Sequence, residues 1–338
     1  MSQLATAAAP PFSVPRRPRL WCARLAAVLF CVAMGLSPAD AENGRLTVTW
    51  LEMPVHGLAV VMETPSGKTY LIDTGGVQQK GDTDYTAGRD TIAPFLTGRG
   101  CKEIAGISIS HPHLDHYGGA SWLLNNWKVG TFIDNGYEGR GQSPSYTQLR
   151  RMAAQRGATY RVVHGGDTLD WDPALSVEVL SPPAEFLSMN DDPAKVSEHG
   201  LLNSNSIVLR VQHGKNIFLF PGDSYGGAFE RYLLASVAPE KLAATVLTAP
   251  HHGFNPGVQF PKMTHPQFVV TSCLADYPGN ANTPNPRSPG ERATKVFGDM
   301  GAKVYVTAWH GNVQAVSDGE TVKMSSQREA AATPPPVP

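Results

Sequence analysis

With 338 residues, 41 % of them hydrophobic and 17 % charged, the chain has the composition of a folded globular protein, which excludes a disordered or fibrous one. Its 28 basic and 29 acidic residues balance to a formal charge of −1, which argues against a polybasic surface for sliding on nucleic acid. The 33 glycines and 28 prolines predict many turns and short elements in place of long helices.

The first 41 residues differ from the rest. A basic stretch, PRRPRLWCAR, precedes an apolar run of 12, LAAVLFCVAMGL, and then SPADA, which closes on Ala39-x-Ala41. This order of basic, apolar and small residues predicts a signal peptide cleaved after Ala41, and so a periplasmic or secreted protein. The apolar run is too short for a membrane anchor, which needs about 20 residues, and no later stretch is long and apolar enough to span a bilayer. Phe30 argues against lipid attachment at Cys31, and Arg16-Arg17 is compatible with a twin-arginine route. Removing residues 1–41 leaves 24 basic and 28 acidic residues, a formal charge of −4. Cys101 and Cys273 then remain, either to pair in an oxidising compartment or to stay as buried thiols.

The segments RLTVTWLEM and GLAVVMETPSGKTYLIDTGG read as strands, with PSGK as a hairpin turn. Residues 87–99 suit a short helix before the apolar strand EIAGISIS. GASWLLNNW has helical spacing, VGTFIDN returns to strand, and SPSYTQLRRMAAQRG reads as an amphipathic helix capped by Ser143 or Ser145 and stopped by Gly157. A second strand-rich half follows, in TYRVVHGGDTLDW, LSVEVLSPP, NSIVLRVQHGKNIFLFPGD, AATVLTAPHHG, QFVVTSC and KVYVTAW, with helices near 226–237 and 288–300. Two β-rich halves flanked by helices predict an α/β protein built as an αββα sandwich over residues 42–325, with a disordered tail over 326–338.

Four stretches carry chemistry. HPHLDH places His111, His113, Asp115 and His116 after an apolar strand, and imidazole and carboxylate are the donors that zinc and similar divalent ions accept. FPGDS places Asp223 on a turn after a buried strand, where it can bridge two ions or cap the helix near 226. PHHG puts His251 and His252 at another strand end, and LIDTGG places Asp73 where a carboxylate can orient a ligating histidine.

Taken in this order, HPHLDHYGG, FPGDS, PHHG and LIDTGG resemble the metallo-β-lactamase superfamily, and within it the hydrolase domain of the DNA-uptake competence protein ComEC. The stretches NSNSIVLRVQHGKNIFLFPGD and PQFVVTSC…GAKVYVTAWHGNVQAVSDG support that branch, and the likeness spans about residues 46–318. It implies two mixed β-sheets packed face to face, with helices outside and the site at one edge. It further implies two divalent cations, zinc or else manganese: His111 and His113 on the first, Asp115 and His116 on the second, Asp223 between them. His252 is the favoured last ligand, with His251 kept for substrate contact and Asp73 as support. Many superfamily members add a histidine to the first metal. Here His164, His199 and His213 are the candidates and none follows a strand end, so Asn203 or Asn205 is expected to line that side, leaving the first cation more weakly held. His56, in PVHGLA where the branch has Gly-Gln-Gly-Asp, and TPNPRS in place of a His-Pro are departures.

The implied reaction is hydrolysis by a metal-bridging hydroxide, with Asp115 relaying a proton and His251 and Tyr117 touching substrate. A phosphodiester is the leading substrate, a lactone or β-lactam the alternative, and a non-catalytic binding protein the remaining reading. Nucleic acid as a partner is not favoured by the charge.

Overall fold

The computed structural model describes residues 44–80, 83–139, 141–188, 197–224, 227–254, 259–274 and 288–329. The expected signal peptide, most of the expected tail and nearly all of TPNPRS lie outside the described residues.

The first half of the chain gives β1 (Leu46–Trp50), β2 (Ala59–Glu63), β3 (Thr69–Thr74), β4 (Val77–Lys80), β5 (Thr83–Thr86), β6 (Ile104–Ser108), β7 (Val129–Asp134) and β8 (Thr159–Val162). The second gives β9 (Leu175–Ser181), β10 (Val208–His213), β11 (Asn216–Phe220), β12 (Val246–Thr248), β13 (Phe268–Thr271), β14 (Lys303–Val306), β15 (Val313–Ser317) and β16 (Val322–Ser326). Eight of these strands form one sheet in the order β16-β15-β1-β2-β3-β6-β7-β8, and six form another in the order β14-β13-β12-β11-β10-β9. The small hairpin β4-β5 stands apart.

Strand periodicity explains the layering, because side chains alternate faces. Leu46, Val48, Trp50, Val60 and Met62 of the first sheet share one core with Leu209, Val211, Phe218, Phe220, Val246 and Val270 of the second. The intervening Ala59, Val61 and Leu71 face outward against helical residues such as Leu96, Leu123 and Leu149. On the far side, Val208, Leu219, Leu247 and Val269 meet Phe229, Leu233, Phe260 and Phe297. Strands with both faces buried read as near-continuous apolar runs, as these do. The result is helix, sheet, sheet, helix. Trp50 pins the two sheets together, its indole Nε1–H donating to Thr248 Oγ1 across 2.8 Å.

Helix signals translate closely. Ser143 accepts from the Ser145 N–H at the start of Pro144–Gln155, and Ser288 with Glu291 makes a capping box on Pro289–Gly298. Residues 87–99 fold as a π-helical turn, Gly88–Ile92, running into the α-helix Ala93–Gly98. The C-terminal boundary differs from expectation: β16 ends at Ser326 and Arg328 binds Glu52 Oε1 at 2.7 Å, so ordered chain continues past residue 325. β16 forms a local hairpin with β15, but that hairpin joins the sheet only through the long-range pairing of β15 with β1, which local pattern does not report. Cys101 and Cys273 are free thiols; burial pushes Cys273 up to about 12, an inert state. Among the described residues no helix is long and apolar enough to cross a membrane.

Candidate metal centre

Two parallel pairings bring the chemistry together. β3 runs parallel to β6, and β11 parallel to β12, so the carboxyl ends of each pair coincide. Asp73 closes β3, His111 follows β6, Asp223 follows β11 and His251-His252 follow β12. Backbone bonds sew these ends together: Ile207 N–H donates to the Ser110 carbonyl across the two sheets (2.8 Å), and His251 N–H to that of Gly222 within the second sheet (3.1 Å).

Two donor groups result. Asp115, His116, Asp223 and His252 form one, His111, His113 and Asp223 the other; within each, the ligand atoms lie within 4.8 Å of one another. Asp223 belongs to both and divides its oxygens between them. Oδ1 lies 3.2 Å from His116 Nε2 and 3.6 Å from His252 Nε2, whereas Oδ2 lies 3.8 Å from His111 Nε2.

Supporting bonds fix the rings. Asp73 Oδ1 accepts from the Ser110 N–H at 2.7 Å, and Asp73 Oδ2 accepts from Ser110 Oγ at 2.9 Å and from His116 Nδ1 at 2.7 Å. His252 Nδ1–H donates to the Ser272 carbonyl at 2.9 Å. Both imidazoles therefore present Nε2 to the centre, the tautomer a metal needs. Ser110 Oγ also meets His111 Nδ1 at 3.0 Å.

The donor set fits divalent cations. His111 Nε2 approaches His113 Nδ1 at 2.8 Å and His116 Nε2 approaches His252 Nε2 at 3.2 Å. Paired nitrogens so close can share only one proton between them, an arrangement a cation resolves. Asp223 Oδ1 and His113 Nε2 are buried with no hydrogen-bond partner among the described residues. Backbone strain concentrates here too. Among the described residues the non-glycine positions with positive φ are Asp73 (59°), His251 (50°), His252 (53°) and His265 (38°), and three of these belong to the centre. Such conformations cost about 1–3 kcal/mol each and persist where surrounding structure enforces them.

Charge follows the same division. Burial alone would lower His116, but Asp223, then Asp73 and Asp115, hold it well above the usual histidine value. His252 is also raised, Asp223 and Asp115 outweighing burial. Burial would raise Asp223 and Asp115, yet His116 and His252 hold both well below the carboxylate range. Burial, with His116 and His113, pushes His111 well down, and burial with His199 lowers His113 to about 4. The second group, without metal, thus holds a proton more readily than the first. Cation binding at the second position must expel it, so affinity there should fall as pH drops and binding should release a proton. Titrations in buffers of different ionisation enthalpy measure this directly; enthalpies independent of the buffer would contradict it.

The structure brings together His111, His113, Asp115, His116, Asp223 and His252 with Asp73 beneath them. His252 rather than His251 joins the second donor group. His251 stands at the rim, its Nε2 3.8 Å from Asp223 Oδ2. Two expectations are corrected. Tyr117 does not face substrate: its ring packs on Tyr146 within the helical core and its hydroxyl bonds Ser145 Oγ at 2.9 Å. The short helix Leu114–Tyr117 turns it inward. Asn205 does not line the centre, because its amide bonds the Leu187 N–H and carbonyl and the Leu201 carbonyl. Asn203 is different: it is buried, and neither amide atom has a hydrogen-bond partner among the described residues.

Two further histidines stand against the centre, His199, one of the three candidates for the first metal side, and His56. His199, on the helix Glu198–Ser204, stacks on His113 with ring centroids 3.8 Å apart. His56, between β1 and β2, has Nε2 3.2 Å from Asp115 Oδ2. His164 packs edge-on to Phe186 and His213 bonds Ser317 Oγ, so neither enters the centre.

The sequence profile of the metallo-β-lactamase superfamily matches residues 53–316. The chain belongs to that superfamily. Among curated relatives it is 28 % identical to ComE operon protein 3 of Bacillus subtilis (strain 168) over 212 residues, which is 60 % of this chain and 25 % of the relative. It is also 28 % identical to the uncharacterized protein YcaI of Escherichia coli (strain K12) over 206 residues, 61 % of this chain and 22 % of that one. The chain thus spans about a quarter of the length of the relatives it matches. Among solved structures, a mutant of the β-hydroxylase CmlA aligns at 13 % identity and TM-score 0.49, over 80 % of this chain and 53 % of that one. Tm1679, described as a metal-dependent hydrolase of the β-lactamase superfamily, aligns at 14 % and 0.44, over 77 % of this chain and 95 % of that one. The superfamily implies divalent metal ions, which the two donor groups can hold.

Proposed function

We propose that this superfamily member is an exported hydrolase of a phosphodiester, working at a two-cation centre. The observation that carries it is Asp223, with one oxygen aimed at each donor group. Two bound cations, zinc or manganese, would supply a water acidified toward a pKa of about 7 and positive charge beside the scissile group. The chain's own residues do the rest. Asp115 is the least buried of the metal donors, with a side-chain exposure of 25 %, and it borders a cavity of about 530 Å³ with His56, Val55, Val77, Gln78 and Leu114. From there it can hold a proton and pass it to a leaving group. His251, with Nε2 3.8 Å from Asp223 Oδ2, would contact substrate. Similarity to ComE operon protein 3 and the ComEC-like motifs support a phosphodiester, and the leader pattern of residues 1–41 supports export.

The second reading is an acyl substrate, a lactone or β-lactam. It is favoured by the cavity walls, where Val55, Val77 and Leu114 are apolar.

The test is metal analysis of the purified protein with parallel assays on bis(p-nitrophenyl) phosphate, a lactone and a β-lactam. We expect about two equivalents of transition metal after loading, with turnover of the phosphodiester above the other two. Preference for an acyl substrate would replace the leading reading with the second. Less than half an equivalent of metal, with no turnover after supplementation, would leave only a binding role.

A further inference from the structure

The segment between β1 and β2 is wedged into the centre by its backbone. Leu58 N–H donates to the Asp115 carbonyl at 3.1 Å, Gly75 N–H to the Leu58 carbonyl at 2.8 Å, and Ser272 Oγ–H to the Gly57 carbonyl at 2.9 Å. Ser272 is the residue whose own carbonyl holds His252. A Cβ on Gly57 (φ 154°) would stand 2.6 Å from the Asp115 carbonyl oxygen and 2.7 Å from Gly76 N; one on Gly76 would stand 2.4 Å from the His56 carbonyl oxygen. These approaches admit only glycine. His56 therefore projects its ring from a fixed base, with Nε2 3.2 Å from Asp115 Oδ2 and its centroid 4.2 Å from that of His252.

We propose that His56 is a positioning residue for the second metal position, its Nε2–H holding the Asp115 carboxylate in place once the cation is bound. This rests on the two-cation reading above. The two imidazole donors of that group each have a support for the ring that is independent of metal: Asp73 for His116 and the Ser272 carbonyl for His252. Asp115 is different. Its carboxylate is approached by His252 Nε2 at 3.3 Å, His116 Nε2 at 3.8 Å and His56 Nε2 at 3.2 Å. The first two nitrogens are themselves donors to the cation, and a nitrogen whose lone pair binds metal carries no proton to give. On loading, their hydrogen bonds to Asp115 are lost. His56 is the contact that survives, and a carboxylate oxygen can accept its N–H while a second lone pair faces the metal.

The experiment is zinc titration of the full, metal-stripped protein against a chromophoric chelator, with thermal melting of the metal-free forms to verify folding. Wild type is expected to take two equivalents. His56→Ala should weaken the second about 10–100-fold and leave the first unchanged, while His56→Gln, which keeps an N–H donor, should stay within about threefold of wild type. Should His56→Ala fail to fold, His56→Leu, of similar volume and without a donor, takes its place. Unchanged binding in the donor-less variant, equal loss of both equivalents, or a glutamine as poor as alanine each overturns the assignment; the last would make His56 a ligand. A wild type that takes no second equivalent overturns it together with the two-cation reading, whereas two equivalents with unaltered variants overturn His56 alone.

Discussion

Asp223→Ala is expected to cost both cations and at least about 10³-fold in kcat/KM, the largest loss of any single substitution in the chain. The reason is its divided carboxylate: Oδ1 serves the group of His116 and His252, and Oδ2 serves His111. Any other donor belongs to one group, so its removal should leave one position partly functional. His113→Ala should thus spare the second equivalent, while Asp223→Ala should spare neither. The folded core should tolerate the change, since Asp223 sits on a turn beyond β11 and its backbone N–H keeps its bond to Ser206. Metal analysis with a melting curve checks the point. Retention of one full equivalent in Asp223→Ala would show that the carboxylate is not shared.

Asp73→Asn should be nearly as damaging without touching a metal donor. The native carboxylate accepts the His116 Nδ1–H, which leaves Nε2 free for metal. Asparagine can still accept from the Ser110 N–H, but its NH₂ then faces Nδ1 and favours the opposite tautomer, with the proton on Nε2. Affinity at the second position should fall about 10–100-fold. Asp73→Ala adds a stability loss of about 3–5 kcal/mol, because His116 and the Ser110 N–H are left buried without their acceptor. Zinc titration and denaturant melts separate the two effects. An Asp73→Asn protein with wild-type affinity would reduce Asp73 to a turn residue.

Much of this site was legible in the sequence because the donors come in short runs after apolar strands. Within HPHLDH the family resemblance puts His111 and His113 in one group and Asp115 and His116 in the other, and the donor groups of the structure divide the same way. Asp223 and His252 were legible for the same reason, each standing just past a buried strand. Tyr117 failed the same test: it follows the cluster directly, but one turn of helix carries it into the core. Asn203 and Asn205 show the limit more sharply. Two asparagines two residues apart are equivalent in sequence, yet one spends its amide on Leu187 and Leu201 and the other's amide has no hydrogen-bond partner among the described residues.

His199, weighed as a further histidine and set aside, and His56, read only as a departure from the branch, escaped assignment to the site for a related reason. Neither follows a strand end; they reach the centre through a glycine-wedged turn and through a helix laid over His113. Local pattern reports what one strand or turn can present, and by itself it determined the αββα class, the candidate donors and the order of the motifs, with their division between two metals implied by the family resemblance. Which loops fold back over those donors depends on contacts between residues far apart in the chain, such as Ser272 with Gly57 or Asp73 with His116. Only the tertiary structure decided these, because it is the packing of the two sheets that brings their strand ends within hydrogen-bonding reach.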